Sequence, residues 1–220
     1  MFTIKFWNIF AKITGWPVQF LCFRTKVYYE DRSAQGRHIK GPAILVSNHT
    51  AVYDFAVYMF VFWTRILRCQ MAELLFEKPF LGRLLRHFGG IRVDRTGYDF
   101  GFLNKSLEVL EKGGVVEVFP ESRIPLPEEA RPLEFKVSAA WLALASGVPV
   151  IPVVTNGSYF NRKRARVLIG KPLLAADLAE AGLDEKENLR LVSDRLRERI
   201  IELERLLNER ANKTEPKAEE

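Results

Sequence analysis

His49 lies in the run Ser47-Asn48-His49-Thr50, and Asp54 follows five residues later. An imidazole takes up a proton near neutral pH. A carboxylate against the ring fixes its tautomer and stabilises the imidazolium. On one continuous helix, five residues set two side chains about 140° apart, and they do not meet. They meet if His49 precedes a helix and Asp54 lies one turn inside it, because helical side chains lean toward the N-terminus. The pair then reads as a general base with its orienting acid. Equally, it reads as a capping histidine beside a first-turn acid that complements the helix dipole.

Two further clusters carry charge. Gly90-Ile91-Arg92-Val93-Asp94-Arg95 and Phe119-Pro120-Glu121-Ser122-Arg123 each place an arginine at the end of a strand pattern. Guanidinium groups at two strand ends can converge on one phosphate through paired hydrogen bonds. Taken singly, each is also an ordinary surface arginine in a turn. A fourth signal is Val148-Pro149-Val150-Ile151-Pro152-Val153, where a proline inside a strand implies an edge, a bulge or a strand end.

The elements that must position these residues alternate along the chain. Strand patterns cover Lys26 to Tyr29, Ala43 to Ser47, Ile91 to Asp94, Val115 to Phe119, Val148 to Val154 and Arg166 to Ile169. Between them, helices are predicted over Val52 to Leu67, from Pro79 to the Gly89-Gly90 stop, over Tyr98 to Lys112 and over Phe135 to Ser146. Phe55 to Trp63 is apolar all round, so that helix is buried or touches lipid. A last helix, Asp184 to Arg210, repeats apolar residues at three- and four-residue spacing. The alternation predicts an α/β domain, a sheet covered by helices.

With 48% hydrophobic and 27% charged residues in 220, the chain can build a core and is not of disordered composition. Its net charge of +6 and pI of about 9.4 favour anionic partners without choosing among them. A nucleic-acid module is disfavoured, because the aromatics lie in apolar runs apart from the basic cluster Asn161-Arg162-Lys163-Arg164. That cluster reads as a lipid-headgroup contact or a solvated turn. Cys22 and Cys69 have no metal or redox spacing, which makes a reducing interior the default. The N-terminal stretch mixes aromatics with Lys5 and Lys12. Its longest uncharged run, Ile13 to Phe23, is shorter than the roughly 20 residues a membrane span needs. Residues 1–24 are therefore expected to lie at a membrane interface, lysines toward the headgroups, with a core-packing helix as the alternative.

Taken together in their order and spacing, the four signals resemble the lysophosphatidate (1-acylglycerol-3-phosphate) acyltransferase family. Its signatures are N-H-x4-D, G-x-I-x-V-D-R, F-P-E-G-T-R and an I-P-V strand. They are matched by Asn48-His49 to Asp54, Gly90 to Arg95, Phe119 to Arg123 and Ile151 to Val153. Phe135-Lys136 and Ile169-Gly170-Lys171-Pro172 extend the likeness to about residues 41 to 173. Two departures stand out. Glu121-Ser122-Arg123 lacks one residue of the Glu-Gly-Thr-Arg form and is followed by a proline-rich insertion, Ile124 to Pro132. Ala72 meets Glu73 directly where family members often carry a lysine, for which Lys78 or Arg68 is the nearest substitute.

The resemblance implies a mixed, largely parallel sheet flanked by helices over residues 25–210, with 211–220 a disordered tail. It implies transfer of a fatty acyl group from acyl-CoA or acyl-ACP to the sn-2 hydroxyl of a lysophosphatidate, at the cytoplasmic face of a membrane. His49 and Asp54 would be catalytic. Arg95 and Arg123 would hold the acceptor phosphate, with Glu121 positioning that site, and neither metal nor cofactor is implied. A sister acyltransferase with another acceptor, or a non-catalytic lipid-binding protein, are the alternatives.

Overall fold

The computed structural model describes residues 2–94, 100–160 and 164–214. In chain order these form α1 (Phe2–Thr14), α2 (Trp16–Val18) running into a π-helical turn (Gln19–Phe23), β1 (Lys26–Tyr29), β2 (Ala43–Ser47), α3 (Asp54–Val61) and β3 (Leu67–Ala72). Next come α4 (Glu73–Glu77), α5 (Pro79–Phe88), β4 (Ile91–Val93), α6 (Gly101–Glu111), β5 (Val115–Val118) and α7 (Val137–Ser146). The chain continues with β6 (Val150–Thr155), β7 (Arg166–Ile169), a 3-10 turn (Ala175–Leu178) and α8 (Glu185–Thr214). Arg95 and the basic residues Arg162 and Lys163 lie outside the described residues.

The described strands make one seven-stranded sheet, ordered β1-β7-β6-β2-β5-β3-β4. All neighbours pair in parallel except β6 with β7, giving the mixed, largely parallel sheet that the resemblance implied. Every residue of β2 is buried, because helices cover both faces. Successive side chains of the strand serve opposite layers. Ile44 and Val46 pack with α6, α7 and α8, whereas Ala43 and Leu45 pack with α3 and Phe23. Since β2, β5 and β6 run in parallel, their C-terminal ends lie at one edge of the sheet, where open α/β sheets place their sites.

Three expectations need correction. The single helix from Val52 to Leu67 is instead the short α3, a loop and the strand β3. Leu67, Cys69 and Met71 alternate with Arg68, Gln70 and Ala72, but the alternation follows directly on an apolar run with no glycine or proline between them. Buried Lys12 turns inward rather than toward headgroups, donating to the carbonyls of Trp63 (2.8 Å) and Arg65 (2.7 Å) in that loop. Burial lowers its pKa to about 8. Finally, α8 runs four residues past Arg210, and Ala211 is buried.

β6 is central, a place where a proline ordinarily costs a ladder hydrogen bond. The Pro152 carbonyl accepts from Gly170 N–H, so its donorless nitrogen also faces the β7 side, just past the last ladder pair, Val153 with Ile169. The missing hydrogen bond thus falls at the end of a ladder, where it is tolerated.

Candidate active site

His49 leaves the C-terminal end of β2 and Asp54 opens α3, so the two lie on a tight turn rather than on one helix. His49 Nδ1 is 2.9 Å from Asp54 Oδ2. Asp54 is fully buried yet well supplied with donors. Oδ2 also accepts from the amides of Thr50 (2.7 Å) and Ala51 (2.9 Å). Oδ1 accepts from Thr50 Oγ1 (2.8 Å) and the Tyr159 hydroxyl (2.6 Å). Such an acceptor-only carboxylate holds the ring proton on Nδ1 and leaves Nε2 as the free base. Phe119 stacks on the imidazole, with ring centroids 4.4 Å apart and planes 25° apart, which fixes the ring plane.

The amides of Thr50 and Ala51 are thus both taken by Asp54.

Glu121 lies just past β5 and is buried. It accepts from His49 N–H through Oε1 and from Leu133 N–H through Oε2, both at 2.8 Å. It therefore ties the backbone of His49 to the far end of the 122–133 loop. Burial raises its pKa, and the two amides oppose that rise. Arg123 is paired within the same loop. It forms a paired ion bridge with Glu129 (2.6 and 2.5 Å) on the exposed side of the loop. That contact lowers the Glu129 pKa to about 2. Arg68 donates to the Gly89 carbonyl, which commits it to the turn between α5 and β4.

Past the I-P-V strand lie residues that the motifs did not single out. Tyr159 donates to Asp54 and is 2.9 Å from Thr155 Oγ1. With its own proton on Asp54, its oxygen is the acceptor there. Burial, then the Asp54 charge, raises the Tyr159 pKa. Gly157 has φ of +65°, and a Cβ there would sit 2.6 Å from Thr50 Oγ1. Glycine is thus required for its backbone conformation and for its closeness to a residue holding Asp54. The only sequence signal was the turn-forming Asn156-Gly157-Ser158, which marks a loop and not its role.

A cavity of about 400 Å³ opens beside His49. Its wall is mostly apolar, drawn from the C-terminal end of β3 and from α3 to α7, with Ala56, Cys69, Met71, Leu81, Leu85, Val93 and Phe102 among the lining. His49 and Ser122 supply polar atoms to the lining, but Arg123 is not part of it. Apolar and bordered by an imidazole, such a space suits a hydrocarbon chain.

Known proteins resemble this chain in sequence and in fold. The acyltransferase family profile matches residues 24–156. The 1-acyl-sn-glycerol-3-phosphate acyltransferase of Salmonella typhimurium is 30% identical over 183 residues, covering 77% of this chain and 71% of that protein. The enzyme of that name from Bacillus subtilis is 26% identical over 140 residues, covering 61% and 67%. A solved structure, the 1-acyl-sn-glycerophosphate acyltransferase PlsC of Thermotoga maritima, superposes with a TM-score of 0.61 at 21% identity, covering 91% of this chain and 79% of that one, and shares the fold. With the His49–Asp54 turn, the apolar cavity beside it and the matched profile in one domain, this chain belongs to the acyltransferase family.

Proposed function

We propose that this protein transfers a fatty acyl group from a thioester, acyl-CoA or acyl-ACP, to the sn-2 hydroxyl of 1-acylglycerol-3-phosphate, giving phosphatidate. The observation that carries the reading is the His49–Asp54 contact beside an apolar cavity that His49 lines. A hydroxyl is a weak nucleophile until its proton leaves as it attacks. His49 Nε2 takes that proton while the oxygen adds to the thioester carbonyl. Asp54 stabilises the imidazolium. Collapse of the tetrahedral intermediate breaks the carbon–sulfur bond, and the imidazolium returns the proton to the departing thiolate. No enzyme nucleophile is needed, since the thioester is already activated. The acyl chain occupies the cavity, each buried methylene contributing about 0.8 kcal/mol.

The acceptor phosphate is assigned to Arg95 and Arg123, with Glu121 holding the loop that carries Arg123. To bind there, phosphate displaces Glu129 from the guanidinium, exchanging one paired anion for another.

Residues 1–24 seat the enzyme on one leaflet, on the cytoplasmic face. Supporting this, α1 is turned apolar side out. Phe6, Ile9, Phe10 and Ile13 are exposed, as are Trp16, Phe20 and Leu21 beyond it, while Asn8 and Lys12 face the protein. Among the described residues no helix is long and apolar enough to cross a membrane.

The test is purified protein with a panel of acyl donors and lysolipid acceptors, products read by mass spectrometry. Acyl transfer to lysophosphatidate is expected. Arg95→Ala or Arg123→Ala should raise its KM about tenfold or more, with little change for the donor. Transfer to none of the acceptors would overturn the reading in favour of a lipid-binding protein.

A further inference from the structure

α8 begins 29 residues beyond the last residue of the family match, at Glu185 against 156, and none of the four motifs lies on it. We propose that Glu204 on this helix is a positioning residue of the active site, acting through Asn48 on the His49–Asp54 pair. The role rests on the reading of His49 as the base.

The hydrogen-bond inventory of Asn48 makes the case. A side-chain amide offers one acceptor oxygen and two N–H donors. Asn48 Oδ1 accepts from Thr155 N–H at 3.0 Å. Nδ2 gives one proton to the Thr155 carbonyl at 3.0 Å and the other to Glu204 Oε1 at 2.6 Å. Both donors are used, and a flipped amide would turn its oxygen onto the carboxylate and a carbonyl. Thr155, with Ser47 Oγ 3.3 Å from Oδ1, already favours this facing, and Glu204 reinforces it by taking the remaining Nδ2 proton. In that orientation Asn48, the residue before His49, clips the end of β2 to the end of β6.

From Thr155 the bonding continues through its hydroxyl to Tyr159 and from Tyr159 to Asp54. Glu204 thus heads a connected run that ends at the imidazole. The same helix supports the other side of His49. Two turns earlier, Arg197 holds the carbonyls of Pro132 and Leu133, and Leu133 N–H holds Glu121, the acceptor of His49 N–H. α8 is already anchored without Glu204, because Val192, Leu196, Ile200, Leu203 and Leu207 are buried in the core. A single polar link to Asn48 is thus separable from the packing of the helix.

The full chain is assayed with acyl-CoA and a short-chain lysophosphatidate as Glu204→Leu, Glu204→Gln and the packing control Leu207→Ala. Glu204→Leu should lower kcat about tenfold or more, with both KM values within about twofold. Glu204→Gln, whose amide oxygen still accepts from Asn48, should stay within about threefold of wild type. Leu207→Ala should lower Tm and spare kcat. If Glu204→Leu does not fold, Glu204→Ala removes the same acceptor without adding an apolar branch and should show the same kcat loss. A second readout needs no turnover: the side-chain ¹⁵N signals of His49, assigned by their loss in His49→Ala, should move in Glu204→Leu and hold in Glu204→Gln. Unchanged kcat or unchanged His49 signals in the leucine variant overturn the role, as does a glutamine variant as impaired as the leucine one. If wild type transfers no acyl group yet the His49 signals still move, the activity assignment fails while the positioning role stands.

Discussion

Asp54 has more partners than its sequence spacing suggested. The motif supplies the imidazole, but two amides and two hydroxyls also donate to the carboxylate, one of them from Tyr159, 105 residues away. These partners separate two variants. His49→Ala removes the proposed base and should cost about 10³-fold in kcat, leaving the circular dichroism melt nearly unchanged. Tyr159→Phe removes one donor to Asp54 and strands the Thr155 hydroxyl. It should cost about tenfold in kcat with both substrates' KM unaltered. Steady-state kinetics of the two variants checks this. A tyrosine variant as fast as wild type would show that the amides and Thr50 alone hold the carboxylate.

At the scale of the element, β5 carries an acid where a buried strand wants an apolar residue. Glu117 is 1% exposed, stands in register with Cys69, and its Oε1 has no hydrogen-bond partner. Burial, then the nearby Asp54 charge, pushes its pKa well above the usual carboxylate range. The sign of the effect follows from proton counting. Above the ordinary value of 4.5, the unfolded carboxyl loses a proton that the folded one keeps, so stability falls as pH rises toward the folded pKa. Glu117→Gln lacks that linkage. Its Tm relative to wild type should therefore rise between pH 5 and pH 8, by about 2–4 °C for each kcal/mol of linkage removed. Paired thermal melts at the two pH values decide it, and an equal difference at both would refute the assignment.

For the whole molecule, the outward apolar face of α1 and α2 is the feature that a water-facing surface does not explain. Deleting the segment is a poor test. Lys12 and Asn8 hold carbonyls of the body at Trp63, Arg65 and Phe88, so truncation would unsatisfy them. Substituting the outer face avoids this. The triple variant Phe6→Ser, Phe10→Ser, Phe20→Ser should bind phosphatidylglycerol–phosphatidylcholine vesicles at least about tenfold more weakly. Its turnover of a short-chain soluble acceptor should not change. Vesicle sedimentation with wild-type affinity would make the face something other than a lipid contact.

How far the sequence alone reached differs by feature. Strands bounded by turn residues, such as β2 and β7, and helices with a proline start and glycine stop, such as α5, were legible because their signals are local. The His49–Asp54 pair was legible for the same reason, both partners lying on one turn. β3 was hidden, because without a break its alternation merged with the apolar run before it. The inward turn of Lys12 could not be read either. A lysine among aromatics looks the same in sequence whether it faces a headgroup or a loop carbonyl, and only the packing of α1 beside α5 decides between them. Nor could Tyr159 and Glu204 be assigned, since each reaches the site across more than 100 residues of chain. The sequence by itself determined the layers, the order of charged clusters at strand ends and the spacing of His49 and Asp54. The tertiary structure decided which distant residues hold that pair in place. Those outcomes depend on contacts between segments whose sequences carry no mutual signal.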